Sequence, residues 1–145
     1  MKPKKEAIMQ KLFVKGHLIP SADVSASRIK KFLEGLGSVC QMNIFFGPIV
    51  KSPNSYDQET WERLGKKPPE DINALVMWDD SGVQMYIFPT KDNWFTLDIY
   101  TCKKFDADKV LKFVYQELEI NHMEFSTQTA NSFSPWQPYL KTAKN

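Results

Sequence analysis

Apolar residues recur along the chain with two different spacings, and the longer spacing predicts two helices. The apolar residues of the first are Ile29, Phe32, Leu33 and Leu36. Their i, i+3, i+4, i+7 spacing is that of an amphipathic helix. Asp23 and Ser25 precede it as candidate N-terminal caps, and Gly37 is its predicted end. The second helix is predicted to begin near Asp106, with apolar positions at Leu111, Val114, Tyr115 and Leu118.

The shorter spacing predicts six strands, at residues 12–19, 41–46, 72–78, 83–88, 94–101 and 122–127. Pro20 ends the first, and Gly47-Pro48 is predicted to break the second. Short turns at 79–82 and 89–93 join the third, fourth and fifth strands, which indicates an antiparallel meander. Residues 51–71 are polar and predict a long surface loop with one helical turn at 60–64, either a lid or a partner contact.

This order of elements predicts an α+β fold, a two-layer sandwich of a mainly antiparallel sheet with two helices on one face. The length of 145 residues suits one domain over 1–145, with residues 1–10 as an arm and 130–145 as a tail. The opposite sheet face needs cover, so a homodimer is expected.

Charge and hydropathy restrict the partners. The formal net charge is +2, too small for the positive field that a phosphate backbone requires, so no nucleic acid is expected. No apolar stretch approaches the roughly 20 residues that cross a bilayer, so no membrane is expected and the predicted location is cytoplasmic. Cys40 and Cys102 are expected to stay free thiols. His17 and His122 stand far apart along the chain from each other and from any carboxylate cluster, so no metal-ligand spacing is present and no metal site is predicted.

Strand 94–101 is predicted to separate two kinds of side chain, because successive residues of a strand face opposite ways. One face carries Trp94, Thr96, Asp98, Tyr100 and Cys102, and the other carries Phe95, Leu97 and Ile99. The first set suits a pocket wall, formed above all by Trp94, Asp98 and Tyr100, and it suits a polar dimer interface equally well.

Residues 73–82 (NALVMWDDSG) and 97–102 (LDIYTC) resemble the central block of the small prokaryotic S-adenosylmethionine decarboxylases. In that family a Glu-Ser-His triplet is followed by a proline eight positions after the serine, and then by a segment ending Asp, aliphatic, aromatic, Thr, Cys. Ser81 and Pro89 keep the eight-residue distance, and 98–102 matches the ending. The resemblance covers most of residues 11–127.

The resemblance implies self-cleavage between Asp80 and Ser81, with Ser81 converted to a pyruvoyl group that serves as the cofactor. Cys102 would then return a proton after carbon dioxide leaves. The implied activity is decarboxylation of S-adenosylmethionine, or of a related amino acid such as arginine or ornithine, in polyamine (spermidine) biosynthesis.

The chain departs from the family at the positions that assist processing. The triplet is Asp80-Ser81-Gly82, Tyr86 stands in place of a downstream His, and Asn73 in place of a second serine. A phenol is a poor general base near neutral pH. Three alternatives stay open: an unprocessed, non-catalytic family member that binds a ligand or regulates a partner, a plain tight turn at 79–82, and thiol chemistry at Cys102.

Overall fold

The structure is a computed structural model that describes residues 8–132 and 134–139. Over this part of the chain the strands are β1 (Ile8–Leu18), β2 (Ile44–Lys51), β3 (Ile72–Trp78), β4 (Ser81–Phe88), β5 (Trp94–Thr101), β6 (Ile120–Asn131) and β7 (Gln137–Tyr139). The helices are α1 (Ala26–Val39), α2 (Gln58–Arg63) and α3 (Ala107–Glu117), with a 3₁₀ turn at Pro53–Ser55.

One sheet contains all the described strands, in the order β2-β3-β4-β5-β1-β6-β7. Each neighbouring pair is antiparallel. Helices α1 and α3 pack side by side on one face of this sheet, where the ring centroids of Phe32 and Phe113 lie 5.6 Å apart. The predicted α+β sandwich, with two helices on one face, is confirmed.

The core lies between the sheet and these two helices. Along β5 the buried residues alternate with partly exposed ones, so the predicted division of this strand into two faces is confirmed. The core side chains contributed by the three central strands β4, β5 and β1 are Val83, Met85, Ile87, Phe95, Leu97, Ile99, Leu12, Val14 and Leu18. The other side of the sheet, which we call the open face, is not covered by α1 or α3.

Helix α1 begins as predicted but ends later. The Ser25 side chain accepts a hydrogen bond from the backbone N–H of Arg28, which makes Ser25 the N-cap. Gly37 was predicted as the end and is instead a buried residue inside the helix, which continues to Val39. A Cβ on Gly37 would lie 3.3 Å from Nε1 of Trp78, so glycine lets the helix approach the sheet closely.

The predicted break of the second strand at Gly47-Pro48 is wrong. Strand β2 runs through both residues to Lys51, with irregular pairing to β3 on either side of them. Proline is tolerated here because β2 is an edge strand and Pro48 is not among its residues paired with β3.

The first and last strands predicted along the chain are longer than expected. Strand β1 begins at Ile8, β6 extends to Asn131, and β7 lies within the predicted tail. The rest of the predicted arm and tail, residues 1–7 and 140–145, lies outside the described residues. None of the helices in the described ranges is long and apolar enough to cross a membrane.

Candidate functional site

A tight hairpin turn places Ser81 at the start of β4. Trp78 pairs with Ser81, which leaves only Asp79 and Asp80 to reverse the chain. Asp80 adopts a left-handed conformation with φ 53°, which a short polar side chain tolerates better than most. The turn therefore holds the Asp80–Ser81 peptide bond at the end of the sheet.

Ser81 and Cys102, which are 21 residues apart in sequence, are in direct contact. The backbone N–H of Cys102 donates to Oγ of Ser81 at 3.0 Å. The Ser81 hydroxyl lies 3.5 Å from Sγ of Cys102 and donates to it, and the Cys102 thiol faces the carbonyl oxygen of Asp79 at 3.9 Å. The pairing of β4 with β5 produces this contact, since Gly82 lies opposite Tyr100.

A cleft of about 650 Å³ opens beside this contact, a size typical of sites for small molecules. Its lining residues are Phe45, Met77, Trp78, Asp79, Asp80, Ser81 and Tyr100. Phe45 and Met77 are 72% and 47% exposed, so two large apolar side chains face solvent at the cleft. The cleft combines apolar walls with two carboxylates and the Ser81 hydroxyl.

The two cysteines lie in different surroundings. Burial raises the pKa of the Cys40 thiol to about 12, and Lys103 opposes that shift only in part. Cys40 is therefore a neutral core side chain. Cys102 is exposed at the end of β5, beside Ser81.

Two residues of the predicted pocket wall share a cavity, and the third lies elsewhere. Tyr100 lines the cleft and, together with Asp98, a second cavity on the open face, where Asp98 lies opposite Phe13 and Gln84. Its Oδ1 atom is buried and makes no hydrogen bond within the described part of the chain. Trp94 stacks on Phe88 at the far end of β5, with ring centroids 4.7 Å apart.

The predicted processing residues Asn73 and Tyr86 pair with each other on β3 and β4, away from Ser81. Five residues of strand separate Tyr86 from Ser81, roughly 17 Å at about 3.3 Å per residue. The Asn73 amide donates to Oη of Tyr56 at 2.6 Å, and Tyr56 donates to the carbonyl of Asp71 at 3.4 Å. Within one chain, neither residue reaches the Ser81 hydroxyl.

His17 and His122, which are far apart in sequence, are neighbours in the sheet. Strands β1 and β6 pair these residues directly opposite each other, because antiparallel pairing joins segments regardless of their separation in sequence. The Nδ1 atom of His17 bonds to the carbonyl of Asp92 at 3.0 Å, and Nε2 of His122 lies 3.7 Å from Glu124. No group of three or more metal-ligand side chains forms among residues 8–132 and 134–139.

Sequence reasoning missed Phe45 and Met77 as cleft residues. Both were assigned only to strands, because the hydrophobic pattern does not show which apolar residues remain exposed. The available signal was the Phe45-Phe46 pair next to Gly47-Pro48, since an irregular edge strand leaves such side chains uncovered. Asp79 was identified as a turn residue but not as a lining residue.

The chain belongs to the S-adenosylmethionine decarboxylase family, whose family model matches residues 24–129. Among solved structures, the adenosylmethionine decarboxylase from Aquifex aeolicus is similar in fold, with a TM-score of 0.57 and 14% sequence identity. That match covers 86% of this chain and 90% of the Aquifex chain. No curated protein matches the chain.

Proposed function

We propose that the protein is a pyruvoyl-dependent decarboxylase of S-adenosylmethionine, or of a related amino acid such as arginine or ornithine, that acts in the cytoplasm in polyamine biosynthesis. Ser81 is the precursor of the pyruvoyl group, and Cys102 is the proton donor. The observation that carries the proposal is the contact of Ser81 Oγ with the backbone N–H and the thiol of Cys102.

Self-processing would begin at the Asp80–Ser81 peptide bond. The Ser81 oxygen attacks the carbonyl carbon of Asp80, and the C–N bond breaks to give an ester and a free amine. Removal of the Cα proton of Ser81 would then break the bond between Cβ and Oγ and release the carboxylate of Asp80. The resulting enamine would take up a proton at Cβ to become an imine, from which water would displace ammonia to leave the pyruvoyl end. The turn supports this role, because it presents the Asp80–Ser81 bond at an exposed end of the sheet.

The surroundings of Ser81 fit such a group, because the partly exposed residue adjoins an open cleft and a thiol. A pyruvoyl group supplies a carbonyl that accepts the electron pair released on decarboxylation. Cys102 would hold the proton at Sγ, 3.5 Å from the Ser81 oxygen, and deliver it to the carbon that has lost carbon dioxide.

The chemistry of the cleft supports a cationic ligand. The carboxylates of Asp79 and Asp80 line it together with the aromatic rings of Phe45 and Tyr100. A positive charge is favoured both near carboxylates and over aromatic faces. S-adenosylmethionine carries a sulfonium and an amine, so its charge is complementary to that of the cleft.

The open face supports a homodimer. It exposes Phe13, Met77 and Tyr86, and it carries charges of both signs, which a twofold axis can pair between copies. Such a dimer would also let Asn73 and Tyr86 of one copy approach Ser81 of the other. Sedimentation velocity should give a dimer that Phe13→Asp dissociates, whereas a wild-type monomer at micromolar concentration would exclude it.

A second candidate function is that of an unprocessed partner that binds a ligand or regulates another protein. It is favoured by the position of Asn73, whose amide is already bonded to Tyr56 about 17 Å along the strands from Ser81. No other side chain in the described residues replaces the missing processing groups at the turn.

The intact mass of the denatured protein tests the proposal. Self-cleavage splits the 16.8 kDa chain into two fragments that meet between Asp80 and Ser81. Ser81→Ala should abolish the cut, and Ser126→Ala, a serine on β6 of the same sheet, should leave it unchanged. A single full-length mass without release of carbon dioxide from S-adenosylmethionine would refute the decarboxylase and favour the regulatory partner.

A further inference from the structure

Tyr100 is the side chain through which the open face and the Ser81 cleft meet. It lines the cleft and continues into a second cavity of about 460 Å³ on the open face. Its neighbours in the same cross-strand row are Lys11 on β1 and Gly82 on β4. Because Gly82 has no side chain, β4 contributes no side chain next to the phenol ring in this row.

Trp136 supports the Tyr100 ring on the other flank. The two rings meet edge to face, with centroids 6.4 Å apart and planes at 70°. The ammonium of Lys11 lies 5.7 Å from the centre of the Trp136 ring, so the indole contacts both members of the row. Both geometries are favourable for aromatic and cation–π interactions.

The chain fixes Trp136 in this position through β7. Gln137, the next residue, pairs with Thr129 of β6, and Tyr139 pairs with Thr127. Trp136 is 38% exposed, so it covers Tyr100 without being buried itself. The segment also lies beyond residues 24–129, the part that the family model matches.

We propose that Trp136 is a positioning residue that holds Tyr100 as a wall of the Ser81 cleft. Residues 134–139, which we call the C-terminal segment, are thereby a specificity-determining part of the site, although Trp136 does not line the cleft. The role in substrate affinity rests on the proposed decarboxylase function, whereas the positioning of Tyr100 does not.

The first experiment requires no substrate. Protein labelled with ¹³C in its tyrosine rings gives one set of ring signals per tyrosine, and Tyr100→Phe identifies the set of Tyr100. Trp136→Ala should change the chemical shifts of the Tyr100 ring and bring them closer to those of an exposed tyrosine, because the ring current of the indole is lost. Trp136→Phe should produce an intermediate shift. An unchanged Tyr100 signal in Trp136→Ala would overturn the proposal, whether or not the protein is an enzyme.

The second experiment measures decarboxylation kinetics. Trp136→Ala should raise KM for S-adenosylmethionine about threefold to tenfold, the effect expected for the loss of one aromatic pair, with kcat and the extent of self-cleavage unchanged. Trp136→Phe should recover most of the affinity. The control is Tyr115→Ala, which removes an exposed aromatic ring from α3 on the helix side of the sheet.

The outcomes separate the two proposals. Cleavage without any change of KM in Trp136→Ala would refute the specificity role and leave the decarboxylase standing. An uncut, inactive wild-type chain would refute the decarboxylase, and the Tyr100 signal would then decide the positioning role alone. An equal fall of kcat in Trp136→Ala and Tyr115→Ala would indicate general destabilisation and overturn the specificity role.

Discussion

The two ends of the β3–β4 hairpin differ in what their side chains contact. At the turn end, Ser81 contacts Cys102 of the next strand, and the surrounding atoms are exposed to a cleft. At the opposite end, the Asn73 amide is held by Tyr56, a residue of the loop between β2 and β3. The family spacing assigned residues at both ends to a single process, but within one chain only the turn end brings its residues together.

The difference follows from strand geometry. Residues five apart on a strand are separated by roughly 17 Å, whereas residues 21 apart in adjacent antiparallel strands can touch. The turn end therefore brings the Ser81 hydroxyl and the Cys102 thiol into contact within one chain. The far end could act on Ser81 only from a second copy.

The largest expected effect is on the turn end. Cys102→Ala should lower the rate of decarboxylation about 10²–10⁴-fold, because the proposed proton donor is lost, while the chain is still cut. Release of carbon dioxide from processed protein measures it. The matched control is Cys40→Ala, a buried thiol that does not line the cleft and should leave the rate unchanged. Equal rates in Cys102→Ala and wild type would remove Cys102 from the mechanism.

The next effect concerns the position where the family has a His and this chain has Gly82. A Cβ there would lie 2.9 Å from the carbonyl oxygen of Val76, so β3 and β4 must move apart. Gly82→His should therefore lower the free energy of unfolding by about 1–3 kcal/mol. Urea denaturation measures it, with Gln84→His, two residues along the same face, as the control. Unchanged stability would show that the hairpin accommodates the family residue.

The smallest effect is expected at the far end. Tyr56→Phe removes the acceptor for the Asn73 amide at 2.6 Å and should cost about 1 kcal/mol of folding stability. Self-cleavage should stay within about twofold of wild type, because a chain's own Asn73 does not reach its Ser81. Tyr115→Phe on α3 is the control. A cleavage rate that changes by an order of magnitude would contradict this expectation and show that the two ends of the hairpin act together in one chain.

The sequence predicted the regular parts of the fold closely. The bounds of β3 and β5 agree with the predicted 72–78 and 94–101, because alternation and turn residues are local signals. The errors have tertiary causes: Gly37 was placed at a helix end because its packing against Trp78 cannot be read from neighbours in sequence. The pairing of His17 with His122 depends on which strands are adjacent, which a pattern within each strand does not specify.

The site was predictable to a lesser extent. The family resemblance implied that Ser81 and Cys102 belong to one site, and the two residues are in contact. The alternation of side chains along β5 placed Tyr100 on the face away from the core. Phe45 and Trp136 could not be assigned, because each reaches the site from a segment whose position is set by edge pairing. Spacing along the chain identified residues on the central strands and missed those contributed by the sheet margins.

Because one of the two cysteines is buried and the other is exposed, a thiol reagent can modify the protein at one defined position. A reagent that needs a thiolate meets an inert, 2% exposed Cys40 and an exposed Cys102. A fluorophore or spin label would therefore attach beside Ser81 in the wild-type chain, without any engineered cysteine. Ligand entry, cleavage of the turn and movement of the C-terminal segment could then be followed with a single natural reporter.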